Sequence, residues 1–179
     1  MPSTDFPRPK EPHETASRRT TEGDSAANEL LLAWHSWGGL TTDQLYELLQ
    51  FRQAVFVVEQ ASPYPDLDGR DSEARHLTLR RDGALIGYLR LIAPSQDDIR
   101  PLVRIGRLAV ALDERGSGHA RLMMDEALRV AAELYPENDV EIGAQTYLEV
   151  FYRSFGFAPS SSPYDDFGVP HIDLMLRRE

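Results

Sequence analysis

The segment RLAVALDERGSGHARLMM, Arg107 to Met124, decides the fold of this protein. An apolar strand pattern leads into a charged turn that contains two closely spaced glycines, and an amphipathic helix pattern follows. The first main-chain N–H groups of a helix have no partner within the helix, and the helix dipole is positive there. Such a turn binds anions, most often phosphates. The segment therefore predicts a phosphate-bearing ligand at Arg115–Ala120.

Composition limits the class of protein. The chain has 179 residues, of which 41% are hydrophobic and 27% charged, and these values are typical of one globular domain with its own core. A formal net charge of −10 argues against a nucleic-acid partner, because that binding needs Lys and Arg to neutralise phosphates. The absence of cysteine excludes disulfides and thiolate metal sites. With no membrane-length apolar run and no signal-like start, we expect a cytoplasmic protein without a membrane partner.

The N-terminal part of the chain differs in composition from the rest. Residues 1–27 are rich in Pro, Ser, Thr and Glu and contain a single aromatic residue, Phe6. Such a segment cannot bury enough apolar area to offset the entropy lost on ordering. We therefore expect a disordered tail over 1–27 and one folded domain over 28–179.

The predicted elements of that domain follow the order β, α, hairpin, β, α, β, α, β, β. A capping box of Thr41 and Gln44 starts the first helix, whose apolar spacing continues to Glu59. Asp82-Gly83 marks the hairpin. The strand patterns RIGRLAV and VEIGAQ flank the helix that follows the glycine turn, so we expect them to be parallel. The order predicts a mixed α/β sheet covered by helices.

Three phosphate-binding motifs compete for the glycine turn. A P-loop requires a lysine after its second glycine, and the one lysine of this chain is Lys10. A dinucleotide-binding motif requires a small residue where Arg121 stands. The pattern R-x-x-G-x-A, Arg115 to Ala120, instead resembles the signature of the GNAT acetyltransferases, in which this turn holds the pyrophosphate of acyl-coenzyme A.

The resemblance extends along the chain. From about Leu30 to Leu176, the order of several segments is similar to that in the ElaA-like subfamily of GNAT proteins: RQAVFVVEQ, PYPDLDGRD, ARHL, RIGRLAV, AQTYLEVFYRSFGF and GVPHIDLML. This resemblance implies a mixed α/β (α+β) GNAT fold. Its twisted sheet would have about six to seven strands, splayed between the fourth and fifth, with about four flanking helices. It also implies acetyl-CoA as co-substrate, and proteins of this family often form homodimers.

The same resemblance implies where the cofactor binds. The strand that carries Leu108, Ala109 and Val110 would part from the strand that carries Ile142 to Ala144, and its free peptide groups would hold the pantetheine arm. The pyrophosphate would then lie on the turn, where glycine permits close approach of the backbone. The implied cofactor-binding residues of the turn are Arg115, Gly116, Ser117, Gly118, His119, Ala120 and Arg121.

The resemblance also places Tyr152 where similar proteins offer a phenol to the sulfur of the cofactor. The base that deprotonates the acceptor stays open among several residues: Glu59, Asp66, Asp68, His76 and His171. The loop PDLDGRD departs from a calcium-binding loop because its glycine comes one residue early. We therefore expect no metal, and we expect this loop to shape an acidic pocket that attracts a cationic amine.

These observations predict an acetyl-CoA-dependent N-acetyltransferase. The acceptor would be a primary amine on a small molecule or peptide, attacked directly in a ternary complex because no cysteine can carry the acyl group. Two alternatives stay open. One is a non-catalytic acyl-CoA sensor or interaction module. The other is an acyltransferase similar to the acyl-homoserine lactone synthases, suggested by FRQAVF followed by acidic residues.

Overall fold

One mixed sheet organises the protein. The computed structural model describes residues 29–95 and 98–178, together with the backbone of Ser17–Arg18. The strands of this part are β1 (Ser17–Arg18), β2 (Leu30–Ser36), β3 (Ala74–Arg81), β4 (Ala84–Ile92), β5 (Val103–Val110), β6 (Val140–Gln145), β7 (Ala158–Pro159), β8 (Tyr164–Asp166) and β9 (Val169–Leu176). They lie in the order β1-β2-β3-β4-β5-β6-β9-β7, and β8 pairs with β9.

The helices cover the sheet as the sequence predicts. They are α1 (Thr42–Arg52), α2 (His119–Leu134) and α3 (Glu149–Arg153). The capping box of Thr41 and Gln44 starts α1, and the chain continues from its end as a π-helix, Gln53–Glu59. The amphipathic α2 buries Met123, Met124, Ala127, Val130 and Ala131. Within the described residues, no helix combines the length and the apolar character that crossing a bilayer requires.

Most of the predicted strand order is confirmed. The hairpin turn at Asp82-Gly83 joins β3 to β4, and β5 runs parallel to β6. The short strand β8 was not predicted, because its segment is polar and lacks alternation; it pairs with β9 across the turn Phe167-Gly168. At the N-terminus, β1 pairs with β2. The remainder of the predicted tail, 1–27, lies outside the described residues, so its disorder stays a prediction.

The central feature of the sheet is a gap between two parallel strands. β5 and β6 pair only at Val103 with Val140 and at Arg104 with Glu141. Farther along, β5 contains a β-bulge, where its register with β4 shifts between Tyr88 and Arg90. Arg107, at the bulge, has a φ of +56°, which is unfavourable for a residue with a Cβ atom. The bulge and the divergence confirm the predicted splay, which lies between β5 and β6. These are the fourth and fifth strands when β2, which begins at Leu30, is counted as the first.

Three arginines and three aspartates hold this region together, and we call them the arginine–aspartate cluster: Arg52, Arg90, Arg107, Asp66, Asp68 and Asp71. Arg52 is fully buried and donates to Asp66 Oδ2 at 2.9 Å and to Asp71 Oδ1 at 2.7 Å. Arg90 donates to Asp71 Oδ1 at 2.9 Å and to both carboxylate oxygens of Asp68, at 2.8 and 2.6 Å. The cluster ties the loop after the π-helix to α1 and β4.

The cluster also braces the strained position in β5. Arg107 donates to Asp66 Oδ1 at 2.7 Å and to the Asp66 carbonyl oxygen at 3.0 Å. Burial raises the pKa of Asp68, but hydrogen bonds from Arg90 and from the Arg70 N–H outweigh it, and the net pKa lies below the ordinary value. The pKa of Asp71 is lowered as well: burial raises it, and Arg52 and Arg90 more than offset this. Both carboxylates are therefore held ionised.

We expect Arg52→Met to lower the free energy of unfolding by about 3–5 kcal/mol, because it leaves Asp66 and Asp71 buried with fewer cationic partners. Urea unfolding followed by tryptophan fluorescence measures this loss. Arg129→Met is the matched control: Arg129 is 58% exposed and pairs with Glu126 and Glu133 on the surface of α2. It should cost less than about 1 kcal/mol. Equal losses for the two variants would contradict a structural role for the cluster.

Candidate active site

A cleft of about 700 Å³ opens where β5 and β6 part. Its walls come from seven parts of the fold: the π-helix and the loop after it, β4, β5, the glycine turn with the start of α2, β6, α3 with the turn before it, and the β8–β9 hairpin. Parallel strands that separate expose main-chain groups that a continuous sheet would pair. The divergence therefore creates a pocket whose floor can form strand-like hydrogen bonds with a ligand.

Both strands at the gap present an open edge. β6 pairs with β9 along all its residues, from Val140 to Gln145, but with β5 only at its first two. On the other side of the gap, Leu108, Ala109 and Val110 of β5 line the cleft, and no described strand pairs with them on the side of β6. An extended chain with amide groups, such as a pantetheine arm, fits between these edges.

The glycine turn lies at the end of this cleft and presents free donors. Gly116 and Gly118 have φ values of +78° and +83°, so both adopt the left-handed conformation that favours glycine. Gly118 is the N-cap of α2, and no side chain caps this helix. Among the described residues, no acceptor pairs with the six consecutive main-chain N–H groups from Gly116 to Arg121. The turn is exposed, so a diphosphate can reach these donors.

The side chains of the turn are engaged with the protein itself. Arg115 donates to both carboxylate oxygens of Glu59, at 2.7 and 2.9 Å, and to the Val110 carbonyl oxygen at 3.0 Å. Arg121 donates to Ser154 Oγ at 2.6 Å and lies over the Phe155 ring, 4.5 Å from its centroid. These contacts brace the turn against the π-helix and α3.

His119 contributes its main-chain N–H to the turn, while its side chain is buried. Its Nε2 lies 3.0 Å from Arg81 Nη2 and 3.3 Å from Glu114 Oε2. Of the predicted cofactor-binding residues, Leu108, Ala109, Val110, Arg115 and Ala120 line the cleft. Gly116, Ser117 and Gly118 are exposed, and like His119 and Arg121 they do not line it.

Tyr152 lines the cleft from α3 with a hydroxyl that has no protein partner. The residue is 5% exposed, and its ring packs edge-on against Phe151 and Phe157. No described residue forms a hydrogen bond with the hydroxyl, and it is not among the fully buried unpartnered polar atoms, so it is open to the cleft. Burial raises the pKa of Tyr152 above its ordinary value, and the neighbouring Tyr147 adds to the effect. The phenol is therefore a protonated donor that faces the cleft.

Two of the candidate bases are committed to other contacts. Glu59 lines the cleft but is paired with Arg115 through both oxygens. His76 is fully buried in β3: its Nδ1 lies 2.7 Å from the Tyr88 hydroxyl and its Nε2 lies 3.0 Å from the Asp71 carbonyl oxygen. Burial lowers the pKa of His76 and keeps it neutral. His76 does not line the cleft, and it has no free ring nitrogen to accept a proton.

The loop PDLDGRD does not form the expected acidic pocket. Asp66 and Asp71 are buried in the arginine–aspartate cluster, and Asp68, which reaches the cleft, is paired with Arg90 and Arg107. The cleft as a whole is lined by five arginines and four carboxylates. A chain with a net charge of −10 thus has a cleft without excess negative charge, which suits a ligand with anionic phosphates.

The sequence did not reveal the arginine–aspartate cluster that shapes this cleft, because its members lie far apart along the chain. Arg52 lies 14 residues before Asp66, and Arg107 lies 41 residues after it, so no local pattern pairs them.

Within the described residues, no group of three or more His, Asp or Glu side chains is arranged to hold a metal ion. The prediction that no metal takes part stays a prediction.

Comparisons with known proteins agree with this geometry. The family model for the acetyltransferase (GNAT) domain matches residues 42–178. Protein ElaA of Escherichia coli (strain K12) is 42% identical over 137 residues, which cover 75% of this chain and 88% of ElaA. The crystal structure of Escherichia coli ElaA superposes with a TM-score of 0.74, at 39% identity over 83% of this chain and 99% of that one.

Two further structures are similar. An acyl-CoA N-acyltransferase from Pseudomonas aeruginosa has a TM-score of 0.76 and 36% identity, and the match covers 84% of this chain and 99% of that one. A GNAT family acetyltransferase from Elizabethkingia anophelis, solved with acetyl-CoA bound, has a TM-score of 0.58 at 13% identity. That match covers 83% of this chain and 97% of the other, and it shows a likeness of fold.

We expect Gly118→Val to weaken acetyl-CoA binding more than about tenfold, because a β-branched residue disfavours the left-handed conformation that aims the N–H groups. Isothermal titration calorimetry measures the affinity. Gly83→Val is the matched control: Gly83 has a φ of +86° and, like Gly118, has open space where a Cβ would be. It lies in the β3–β4 turn and does not line the cleft. Unchanged affinity in a folded Gly118→Val variant would exclude the turn as the diphosphate site.

Proposed function

Because this chain belongs to the GNAT acetyltransferase family, we propose that it transfers the acetyl group of acetyl-CoA to a primary amine. Family membership makes the chain an acyltransferase. The observation that carries the proposal is the row of six unpartnered main-chain N–H groups, Gly116 to Arg121, at the end of a cleft between two open strand edges.

The residues of the cleft fit acetyl-CoA in three places. The N–H groups of the glycine turn would receive the diphosphate. The open edge of β5 at Leu108 to Val110 would hydrogen-bond the amides of the pantetheine arm. When bound, acetyl-CoA supplies an activated acetyl thioester. With its arm held at this edge, the thioester would lie beyond the splay, in the part of the cleft that Tyr152 lines.

Tyr152 would stabilise the departing sulfur. Its raised pKa keeps the phenol protonated, so it donates a hydrogen bond to the negative charge that develops on sulfur. Complete transfer of the proton before the C–S bond breaks is not required. The position of Tyr152 supports this role, since its hydroxyl faces the cleft without a hydrogen bond to any described residue and is free to bind a group of the ligand.

The transfer would occur by direct attack in a ternary complex. The sequence has no cysteine to take up the acyl group, which removes the most nucleophilic carrier among the side chains. The acceptor would be an amine on a small molecule or a peptide. The net charge of −10 disfavours a nucleic-acid partner. A homodimer, frequent in the family, would leave the cleft within each chain.

The test is release of coenzyme A thiol from acetyl-CoA with a panel of amines: alkylamines, polyamines, amino acids and peptides with free N-termini. We expect turnover with at least one class, and mass spectrometry should find that acceptor heavier by one acetyl group. If the protein binds acetyl-CoA in calorimetry and releases no thiol with any acceptor, a non-catalytic sensor is the correct function.

We expect Tyr152→Phe to lower kcat by about 10²-fold, the typical effect of losing one donor to a developing charge. The KM for acetyl-CoA should change little, because the ground-state thioester bears no charge at sulfur. Thiol-release kinetics at saturating acceptor give both constants. Tyr46→Phe, at an exposed tyrosine of α1 outside the cleft, controls for loss of a hydroxyl. Undiminished turnover in Tyr152→Phe would remove this residue from the mechanism.

A further inference from the structure

Three of the four carboxylates of the cleft are paired with arginines and are poorly placed to take a proton from the acceptor. Glu59 is bound through both oxygens by Arg115, and Asp68 through both oxygens by Arg90. Glu141 accepts from Arg104 Nε at 3.0 Å. Each pairing occupies carboxylate oxygens that a base would need to accept the proton.

His171 differs from these groups because one of its ring nitrogens is free. It lies on β9, where it pairs with Gln145, the last residue of β6, and it lines the cleft. Its Nδ1 lies 2.9 Å from the Val169 carbonyl oxygen. A carbonyl oxygen only accepts hydrogen bonds, so Nδ1 carries the hydrogen and the neutral ring has its lone pair on Nε2. No described residue forms a hydrogen bond with Nε2.

The ring of His171 is also held in place. It stacks on Tyr164 of β8, with centroids 6.1 Å apart and planes inclined by 28°. The Tyr164 hydroxyl in turn donates to Asp173 Oδ1 at 2.8 Å. The hydrogen bond from Nδ1 to the backbone fixes the tautomer of the ring. Together with the aromatic neighbour on one face, it also fixes the orientation of the ring. A positioned base requires both.

We propose that His171 is the general base that deprotonates the acceptor amine, an inference that rests on the proposed acetyltransferase function. An alkylammonium must lose a proton before it can attack. That proton passes from the acceptor nitrogen to Nε2, and the nitrogen then forms its bond to the acetyl carbon while the C–S bond breaks and sulfur keeps the electron pair. The second proton of the nitrogen ends on the sulfur of coenzyme A, and Nε2 returns its proton to water. The products are the N-acetyl amine, coenzyme A thiol and one proton.

Several charged and titratable groups line the cleft with His171. β8 contributes Tyr164 and Asp166, β6 contributes Glu141, and Tyr152 lines the same cleft from α3. The pKa of Tyr164 is raised by its burial and by Asp173, so its phenol stays protonated. The Asp166 carboxylate forms no hydrogen bond with a described residue and is the one competing candidate. The geometry favours His171, because the Val169 carbonyl oxygen and the Tyr164 ring hold its imidazole in place.

The decisive variant is His171→Asn. The asparagine amide can still donate to the Val169 carbonyl oxygen, but the substitution removes the basic ring nitrogen. With an alkylamine acceptor at pH 7, we expect kcat/KM for the acceptor to fall by about 10²-fold or more. The loss should shrink as the pH approaches about 10, where the alkylamine deprotonates without help. It should also shrink at pH 7 with hydroxylamine or an arylamine, which are already neutral. A purely structural defect would give the same loss with every acceptor and at every pH.

Two readouts do not depend on turnover. Long-range ¹H–¹⁵N spectra of the free protein, assigned by the signals that His171→Asn removes, should show a protonated Nδ1 and an unprotonated Nε2. Calorimetry should give the same acetyl-CoA affinity for wild type and variant. The matched control is His35→Asn, because His35 is a half-buried histidine of β2 that hydrogen-bonds Thr78 and does not line the cleft. Its kcat/KM should stay within about twofold of wild type.

Other outcomes separate the two hypotheses. If wild type turns over and a folded His171→Asn variant stays within about threefold of it, His171 is not the base. A large loss in Asp166→Asn that hydroxylamine restores, without such a loss in His171→Asn, would assign the role to Asp166 and overturn the proposal. Should His171→Asn fail to fold, His171→Gln answers the same question. If wild type binds acetyl-CoA and acetylates no amine, the proposed function itself fails.

Discussion

The separation of β5 from β6 is the constraint on which the rest of the structure depends. Two parallel strands that pair at only two positions leave main-chain groups of both edges without a strand partner. Such groups must bind water or a ligand, because leaving them unpaired is costly. The fold therefore presents strand edges to a cofactor where a complete sheet would have closed them. The glycine turn then continues the row of donors from the end of β5 into the first turn of α2.

Keeping the strands apart requires support from outside the sheet, and the arginine–aspartate cluster supplies it. Arg107 occupies a left-handed conformation at the bulge, which is unfavourable for its residue type. Its guanidinium is held by Asp66, and Asp66 is held by the fully buried Arg52 of α1. The loop after the π-helix thus connects α1 with the bulge. Pairs of this kind add little net stability, but they fix one geometry because each unpaired charge would be expensive.

Ion pairs between side chains also determine which groups of the cleft are available for chemistry. Most ionised side chains there have a partner of opposite charge, so they set shape and potential without exchanging protons. Tyr152 and His171 each offer a polar atom that forms no hydrogen bond with a described residue, the hydroxyl of Tyr152 and Nε2 of His171. They come from α3 and β9, and His171 lies beside Gln145, the last residue of β6. A site that needs one hydrogen-bond donor and one acceptor therefore has one of each with no competing protein contact.

The sequence by itself determined the elements whose signals are local. The capping box, the Asp82-Gly83 turn, the glycine turn and the length of α2 depend on sterics and hydrogen bonds among near neighbours, and the structure has all of them as predicted. The tertiary structure alone decided which side chains meet. The sequence makes His76 a candidate base, yet β3 is buried on both faces and encloses it. Arg115 and Glu59, separated by 56 residues, form an ion pair that no local pattern encodes. Such contacts depend on strand register and on where a loop returns to the sheet, and a shift of one residue in a strand turns every side chain to the opposite face.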